Sequence, residues 1–407
     1  MNEIFLAIAV FVCIVLILAE VVVVARAALI PSGEVTIRVN EQQRITAKTS
    51  DKLLSALAEG GITIPAACGG AGTCGQCRVQ VVGGCTPPMQ TETALLTRRD
   101  LSNGIRLACQ TSLYNDLTIS LPDSLLQAKE WDFEVISSHT ITPMIREIEL
   151  ALPGSQSFTF TPGAFVQIEA PAYALNFADY IISPEHQKAW DGTSLSKLNS
   201  SCDEPVSRAY SIASNGKDSD SNIVLLIRLA TPPADVPAVP PGVVSSWLFG
   251  LQAGDRVAVS GPFGTFAAQE SNREMVFIGG GVGMAPLRAI ITDQLEHLST
   301  TRRISFWYGA RNLSELFYQE EFDHFQETHP NFKWTAALSE PEQNDNWVGE
   351  TGFIHDVALR NYLDKHPAPH ECEYYLCGPP LMTQAVLTML DELGVESEQI
   401  FNDDFGS

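Results

Sequence analysis

The sequence predicts a multidomain protein that combines α+β and α/β structure, and three observations carry this prediction. Its 407 residues, of which 45% are hydrophobic, suffice for several cores, so about three domains are expected. Short alternating strands dominate up to about residue 270, whereas buried strands that end in glycine turns follow. A long apolar run stands at the amino terminus and predicts a helix outside the globular part.

The charge balance limits the partners. The chain has 25 Lys and Arg against 48 Asp and Glu, a formal charge of -23. Such an excess repels polyphosphate backbones and anionic lipid surfaces, so no nucleic acid partner is expected. Nine cysteines include five without framework spacing, which favours a reduced cytosolic setting.

The run over residues 4–25 predicts a single transmembrane helix within an anchor of residues 1–31. It is interrupted only by Glu20 and is long enough to cross a bilayer. A cleaved secretory signal is the alternative, but no Lys or Arg precedes the run and it is too long. Arg26 is the nearest basic residue, so the remainder of the chain is expected to face the cytoplasm.

Residues 32–126 predict a small α+β domain. An alternating segment over residues 34–39 turns at Asn40-Glu41 and returns over residues 44–47 as a hairpin. A helix capped by Ser50 or Asp51 follows and ends at Gly60-Gly61. Three further strands are expected, at residues 78–82, 105–108 and 117–120.

Four cysteines in this domain have the pattern of a two-iron, two-sulfur site. Cys68, Cys74 and Cys77 share a loop with four glycines, and Cys109 follows after 31 residues. Glycine permits positive φ and lets backbone amides approach the sulfurs. The first gap has five residues where the plant-type spacing has four, so the loop resembles that of vertebrate-type ferredoxins. The alternatives are a zinc ribbon, which usually has two separate Cys-x-x-Cys pairs, and a disulfide loop.

Residues 127–270 predict an antiparallel β-barrel. A polar insertion between Pro171 and Pro205 is expected to form an extended surface loop or a partner contact. The candidate strands are residues 133–136, 144–150, 164–169, 209–213 and 223–229.

Arg208, Tyr210 and Ser211 suggest a flavin site on one barrel strand. The arginine could neutralise a pyrophosphate, the tyrosine could stack on a planar ring, and the serine could hydrogen-bond a ring nitrogen. An ordinary buried strand with one exposed arginine is the alternative.

Two glycine motifs follow in the same segment. Gly242, Ser245 and Ser246 lie where a loop feeds a helix, so amides and hydroxyls could hold a phosphate. Gly261 and Gly264 are expected to close the barrel.

Residues 271–407 predict a Rossmann-like parallel sheet that binds a dinucleotide at its carboxyl edge. A buried strand from Met275 runs into a turn with Gly281, Gly283 and Pro286, followed by a helix over residues 287–298. Two more strands are expected, at residues 304–308, which precede Arg311, and at residues 374–376, which precede Cys377 and Gly378.

The nucleotide preference is read from charge. No basic pair flanks Arg311 as a cradle for a 2′-phosphate, and Glu315, Glu320 and Glu321 follow. NADH is therefore favoured over NADPH.

The order of these elements resembles two known groups of proteins. Hairpin, helix, cysteine loop and closing strands resemble the β-grasp ferredoxins. The Arg-x-Tyr-Ser, Gly-x-x-Ser and Gly-Pro-x-Gly motifs, with the later glycine motifs, resemble the ferredoxin-NADP reductase family over residues 32–407. This resemblance implies that the barrel motifs hold FAD and that Gly281, Gly283, Pro286, Cys377 and Gly378 contact the nicotinamide nucleotide.

The same resemblance implies a catalytic group of Ser211, Cys377 and Phe405. Cys377 would lie beside the nicotinamide ring, with a small buried cysteine as the alternative. Phe405 would cover the outer flavin face, with a frayed tail as the alternative.

An anchor followed by ferredoxin, flavin and nicotinamide domains resembles the F subunits of the sodium-translocating NADH:quinone reductase family. The resemblance implies a hydride from NADH onto FAD, single electrons to the 2Fe-2S cluster, and transfer to other subunits that reduce ubiquinone and move sodium. It also implies the bacterial inner membrane. The alternatives are the reductase component of an oxygenase system and a membrane-tethered iron-sulfur carrier without turnover.

Overall fold

The computed structural model describes residues 11–21, 33–66, 68–84, 87–126, 128–154, 156–191, 193–216, 222–232, 239–343 and 345–403. They form two compact units. The first unit contains the chain up to Ile64 together with Gly70–Gln127, and the second contains Pro65–Gly69 together with Ala128–Ser407.

The amino-terminal run is described only in part. Residues 11–21 form helix α1, and every one of them is exposed. Within the described ranges, no helix is both long enough and apolar enough to cross a membrane. The remainder of the predicted span lies outside the described residues.

The first unit is built on a mixed five-stranded sheet in the order β2-β1-β5-β3-β4. β1 and β2 form the predicted hairpin, and β1 runs parallel to β5. Alternate residues of the strands are buried, as a sheet with one covered face requires. The elements are β1 (Glu34–Val39), β2 (Gln43–Lys48), α2 (Leu53–Glu59), β3 (Arg78–Gly83), α3 (Gln90–Leu95), α4 (Arg98–Ser102), β4 (Ile105–Leu107) and β5 (Leu117–Ser120).

The predicted cap of α2 is wrong. The helix follows Lys52, which makes no side-chain cap, and the Asp51 carboxylate instead accepts a hydrogen bond from the Lys48 amide at 3.0 Å. Asp51 therefore stabilises the turn before the helix. The sequence also did not predict α3 and α4. A buried ion pair between Glu92 of α3 and Arg106 of β4 links α3 to the sheet.

The second unit begins with the predicted antiparallel barrel, whose strands follow the order β11-β8-β13-β6-β7-β12. A bridge between Ile212 and Leu225 joins the two outer strands and closes the sheet. The short helix α5 (Asp123–Leu126) lies between β5 and β6 along the chain. The barrel elements are β6 (Lys129–Thr142), β7 (Ile145–Ala151), β8 (Phe165–Ala170), β11 (Val206–Ser211), β12 (Ile223–Arg228), α7 (Val243–Phe249) and β13 (Arg256–Phe263).

The insertion after Pro171 is a folded lobe, so the prediction of an extended loop is wrong. A hairpin and a helix pack Phe177 and Trp190 against Phe249 of α7. The Tyr180 hydroxyl donates to the Ser246 carbonyl at 2.8 Å, which ties the lobe to the same helix. The lobe contains β9 (Tyr173–Asn176), α6 (Pro184–Asp191) and β10 (Asn199–Cys202).

A six-stranded sheet, parallel throughout, completes the second unit in the order β17-β16-β15-β14-β18-β19. The central strand β14 is buried at every position, as a sheet covered by helices on both faces requires. The elements are β14 (Met275–Gly280), α8 (Met284–Thr292), β15 (Ile304–Ala310), α9 (Gln319–Thr328), β16 (Phe332–Leu338), β17 (Glu350–Thr351), α10 (Ile354–Asn361), β18 (Glu373–Cys377), α11 (Pro380–Glu392) and β19 (Ile400–Asn402).

Helix α8 begins three residues before the predicted start, at Met284, and its last turns continue as a π-helix over Asp293–His297. Pro286 lies in the first turn, where its missing N–H costs no hydrogen bond. The proline therefore belongs to the helix rather than to the loop before it.

Candidate functional site

The backbone of the cysteine loop has the positive φ angles that were predicted from its glycines. Gly69, Gly70, Gly72 and Gly75 all have positive φ, between 64° and 89°. A Cβ atom at Gly72 would lie 2.3 Å from the side-chain nitrogen of Gln110, so the loop is also tightly packed there. The backbone thus turns repeatedly between the cysteines, and side chains are excluded from the turns.

Three of the predicted cysteine ligands interact with one another. Cys77 and Cys109 are buried and in hydrogen-bond contact, and this contact together with burial raises the pKa of the Cys77 thiol. Cys74 contributes a further electrostatic interaction to Cys77, and the Gln110 amide donates to the Cys109 sulfur at 3.4 Å. Cys68 lies in a turn six positions before Cys74 and is half-buried.

The predicted flavin residues lie at the end of β11. Arg208, Tyr210 and Ser211 pair in antiparallel register with Ile168, Val166 and Phe165 of β8. Burial raises the pKa of Tyr210, whose ring belongs to the edge of the barrel core. Ser211 is the last residue of the strand and is buried.

The Gly-x-x-Ser motif starts α7 as predicted. Gly242 precedes the helix without a side-chain cap, so the first amides of the helix are available to an anion. The Ser245 hydroxyl accepts from the Ala230 amide at 3.3 Å. The Ser246 hydroxyl is fully buried and has no hydrogen-bond partner within the described part of the chain. A buried hydroxyl beside the first amides of a helix fits a phosphate group.

The two nucleotide motifs meet at the carboxyl edge of the parallel sheet. A Cβ atom at Gly283 would lie 2.0 Å from the Cys377 carbonyl oxygen, so only glycine permits this approach. Gly378 is similarly close to Gly280, because a Cβ at Gly378 would lie 3.1 Å from the Gly280 backbone nitrogen. Gly283, Pro286 and Cys377 are buried, whereas Gly281 is partly exposed.

A cavity of about 590 Å³ opens at this edge, between the parallel sheet and the barrel. Gly281 and the residues after β15 and β16 form one wall, whereas the start of β7 and the end of β12 form the other. Its charged lining residues are Arg228, Arg311, Glu315 and Glu340. Arg311 donates to Glu315 at 3.0 Å, and this hydrogen bond raises the arginine pKa. The negative charge of Glu315 offsets the positive charge of Arg311.

Two residues of this region were not predicted from the sequence. The Asp403 carboxylate accepts from the Ser211 hydroxyl at 3.1 Å, while the Asp403 amide donates to the Leu376 carbonyl at 3.0 Å. Asp403 thus joins Ser211 to the strand that ends at Cys377. Arg228 is the last residue of the apolar strand β12 and lines the cavity. Only the fold shows that it reaches this site. The predicted catalytic residue Phe405 lies outside the described residues.

A second group of ligand-type side chains lies at the opposite, amino edge of the sheet. Single ligand atoms of Glu274, His366 and Cys372 all lie within 4.8 Å of one another. However, His366 Nδ1 accepts a hydrogen bond from the Ala368 amide at 3.2 Å. The proton of the neutral ring therefore lies on Nε2, which donates to the Glu274 carboxylate at 3.3 Å. A metal at Nε2 would require the proton on Nδ1, facing that amide. The group is therefore a hydrogen-bonded cluster.

Comparison with known proteins assigns the three parts of the chain. Residues 37–114 match the 2Fe-2S iron-sulfur cluster binding domain, residues 194–267 the oxidoreductase FAD-binding domain, and residues 277–388 the oxidoreductase NAD-binding domain. Among solved structures, the Amycolatopsis cytochrome P450 reductase has a TM-score of 0.63 at 25% identity, covering 91% of this chain and 98% of its own. The ferredoxin reductase in carbazole 1,9a-dioxygenase has a TM-score of 0.59 at 24% identity, covering 92% and 99%, and shows the fold alone.

Relatives similar along the full length are more specific. The F subunit of the Na(+)-translocating NADH-quinone reductase from Yersinia enterocolitica is 47% identical over 99% of this chain and 100% of its own. The protein of the same name from Pseudoalteromonas atlantica is 46% identical over 100% of both chains. The chain therefore belongs to the family of Na(+)-translocating NADH-quinone reductase F subunits, and it contains 2Fe-2S, FAD-binding and NAD-binding domains.

Proposed function

We propose that this chain is the component that admits electrons from NADH into a sodium-translocating NADH:ubiquinone reductase. Bound FAD would take from NADH one hydride, which carries two electrons, whereas a 2Fe-2S cluster would take electrons one at a time, so the two groups together would convert two-electron into one-electron chemistry. The observation that carries the proposal is the cavity shared by the barrel and the carboxyl edge of the parallel sheet. It lies where an open parallel sheet binds dinucleotides.

Cys68, Cys74, Cys77 and Cys109 are the proposed cluster ligands. The four thiolates would hold the cluster, and the contact between Cys77 and Cys109 already brings two of them together. Burial of Cys77 and Cys109 keeps water away from that side, and the Gln110 amide is positioned to donate to a sulfur.

The barrel is the proposed FAD site. Arg208 supplies positive charge for the pyrophosphate, Tyr210 a stacking surface, and Ser211 a hydroxyl toward the flavin ring. The hydrogen bond from Ser211 to Asp403 orients that hydroxyl. The phosphate contacts are assigned to Gly242, Ser245 and Ser246, with Gly261 and Gly264 at the end of β13.

The carboxyl edge of the parallel sheet is the proposed NADH site. Gly281 and Gly283 present backbone amides at the start of α8, Pro286 lies in its first turn, and Cys377 and Gly378 flank them. Hydride transfer is assigned to the region between Ser211 and Cys377, which Asp403 joins.

Charge in the cavity favours NADH over NADPH. Arg311 is engaged by Glu315, and Glu340 adds a second carboxylate to the lining. The lining thus has two arginines and two glutamates, so a 2′-phosphate would meet no excess of positive charge. Faster reduction of ferricyanide with NADPH than with NADH would contradict this assignment.

The amino terminus is the proposed anchor. The exposed apolar side chains of residues 11–21 need a nonpolar environment, and the sequence run of which they are part has the length of a bilayer. We assign a single pass in the bacterial inner membrane, with the domains in the cytoplasm and the remaining subunits as partners. Carbonate extraction of membranes should leave the full chain in the pellet, and release of the chain would contradict the anchor.

Removal of one cluster ligand tests the proposed function. We expect Cys109→Ala to lose iron and acid-labile sulfide but to retain FAD and NADH:ferricyanide turnover. Transfer to a one-electron acceptor that accepts only from the cluster should fall at least about 10-fold. Cys202→Ala is the matched control, because Cys202 lies in the insertion and is expected to leave all three properties unchanged. Retention of the cluster in Cys109→Ala would contradict the ligand assignment.

A reductase component of an oxygenase system is the second candidate, because the fold matches such reductases. Quinone reduction separates the two. Membranes that contain this chain and its partner subunits should show sodium-stimulated, NADH-dependent quinone reduction. If the chain instead sustains only a hydroxylase, the oxygenase assignment is correct. A carrier without turnover would show no reduction of flavin by NADH.

A further inference from the structure

Five residues form a polar node where the barrel meets the parallel sheet inside the second unit. We call it the Arg288 node; its members are Glu147, Ala213, Arg288, Tyr318 and Glu321. Glu147 and Ala213 belong to the barrel, whereas the other three belong to the parallel sheet and its helices. None of the five appears in the cavity lining.

Arg288 makes the central contacts of the node. Its Nε lies 2.9 Å from both carboxylate oxygens of Glu321, and its Nη1 donates to the Ala213 carbonyl at 2.8 Å. Its guanidinium carbon also lies over the Tyr318 ring, 4.7 Å from the ring centre. The guanidinium is thus held on an anion, on a carbonyl and on an aromatic face at once.

Tyr318, whose ring contacts Arg288, has an unusual backbone conformation. Its φ is 60°, in the left-handed region that a bulky residue rarely adopts. Its hydroxyl donates to the Glu147 carboxylate on β7, and burial raises its pKa well above the usual range. The surrounding contacts hold the residue there, and they include one from the barrel.

The position of the node relates it to the reacting region. Arg288 lies two residues after Pro286, in the first turns of the helix whose start is the proposed nucleotide site. Ala213 lies two residues after Ser211, just beyond the end of the strand that is the proposed flavin site. The bond between Arg288 and Ala213 therefore joins the two elements that would carry donor and acceptor.

We propose that Arg288 is a positioning residue that sets the distance and angle between the nicotinamide and flavin sites, an inference that rests on the proposed function. Tyr318 and Glu321 hold its guanidinium in place. The apolar contacts between the two parts, among them Ile145, Leu226 and Leu287, remain without the node. Loss of Arg288 is thus expected to loosen the orientation of the two parts without separating them.

The expected effect is on the limiting rate of flavin reduction. A misplacement of about 1 Å between reacting groups can lower a rate about 100-fold, whereas substrate affinity depends on contacts in the cavity. In the full chain carrying its cofactors, Arg288→Gln should lower the limiting rate at least about 10-fold and change the half-saturating NADH concentration less than about 3-fold. Arg288→Lys should give an intermediate rate, since an ammonium lacks the planar fork.

Hydrogen exchange gives a readout that does not depend on turnover. In Arg288→Gln, amides of residues 206–213 and 284–292 should exchange faster than in the unsubstituted protein. Tyr318→Phe removes only the hydroxyl bound to Glu147 and should give the same changes with a smaller amplitude, so it replaces Arg288→Gln if that variant loses FAD.

Arg303→Gln is the matched control. Arg303 also pairs with a glutamate, Glu274, and lies near a tyrosine ring, Tyr362, but at the amino edge of the sheet. It should alter the thermal midpoint without altering the limiting rate. An unchanged rate in Arg288→Gln, or an equal loss in Arg303→Gln, would overturn the positioning role. Failure of NADH to reduce the flavin of the unsubstituted protein would instead refute the proposed function.

Discussion

The two ends of the parallel sheet differ in composition and in openness. At the carboxyl edge, glycines bring backbone into contact beside a cavity of about 590 Å³. At the amino edge, Arg302 and Glu373 form a buried ion pair, and Tyr375 and Ser271 donate to the same carboxylate. Charge at one end is directed at a cavity, and charge at the other is paired within the core. Substitutions at the carboxyl edge are therefore expected to change reaction with the nucleotide, whereas substitutions at the amino edge are expected to change stability.

The largest effect is expected at the amino edge. Glu373→Gln leaves Arg302 buried without its anion, and breaking a buried pair in this way costs about 3–5 kcal/mol of unfolding free energy. Denaturant unfolding of the second unit should report this loss, while the half-saturating NADH concentration stays unchanged. A change in NADH affinity with no loss of stability would remove the distinction between the two edges.

The next effect is expected at the carboxyl edge. Gly283→Ala places a methyl group 2.0 Å from the Cys377 carbonyl oxygen, so the two loops must separate. Because reacting groups are misaligned, flavin reduction by NADH should slow about 100-fold with FAD and iron content unchanged. Rapid-mixing absorbance measures this rate. Gly83→Ala is the control, since a Cβ there meets no atom within 4 Å, and a comparable loss in that variant would refute the argument.

A smaller effect should follow from the charge in the cavity. Glu315→Gln releases Arg311 from its ion pair and removes one negative charge. The ratio of the kcat/KM value for NADPH to that for NADH should rise about 3- to 10-fold, equivalent to about 1 kcal/mol. Steady-state ferricyanide reduction with both nucleotides measures it. An unchanged ratio would mean that Arg311 does not face the 2′ position.

The smallest effect concerns alkaline pH at the amino edge. Burial and the neighbouring Glu274 raise the pKa of the Cys372 thiol to about 12. The folded state therefore favours the neutral thiol, and this contribution is complete below about pH 9 and is lost as pH rises toward 12. Cys372→Ala should flatten the decline of the unfolding free energy over that window, by about 1 kcal/mol or less. The thermal midpoint measured against pH reports this change. A decline as steep as in the unsubstituted protein would contradict the contribution.

The sequence predicted the carboxyl edge better than the amino edge for a physical reason. Strand, glycine turn and helix stand next to one another around Gly281, so their spacing shows the site directly. The pair of Arg302 with Glu373 joins residues 71 positions apart, and neither has a local pattern. Asp403 was missed in the same way, because only the fold brings it to Ser211.

The predictions for the insertion after Pro171 and for the cap of α2 failed for related reasons. The polar composition of the insertion suggested a loop. However, Trp190 and Phe177 pack against Phe249, which lies far along the chain. At α2, Asp51 had the residue type of a cap, yet its carboxylate bonds a preceding amide. Local propensity was in both cases overridden by a contact that the sequence does not display.

Anaerobic rapid mixing of the purified chain with NADH tests the central claim most directly. With absorbance followed separately for the flavin and for the 2Fe-2S cluster, the account predicts that flavin bleaching precedes cluster reduction, and that both are complete within turnover time. Cluster reduction without prior bleaching, or a protein whose four cysteines hold zinc, would contradict it.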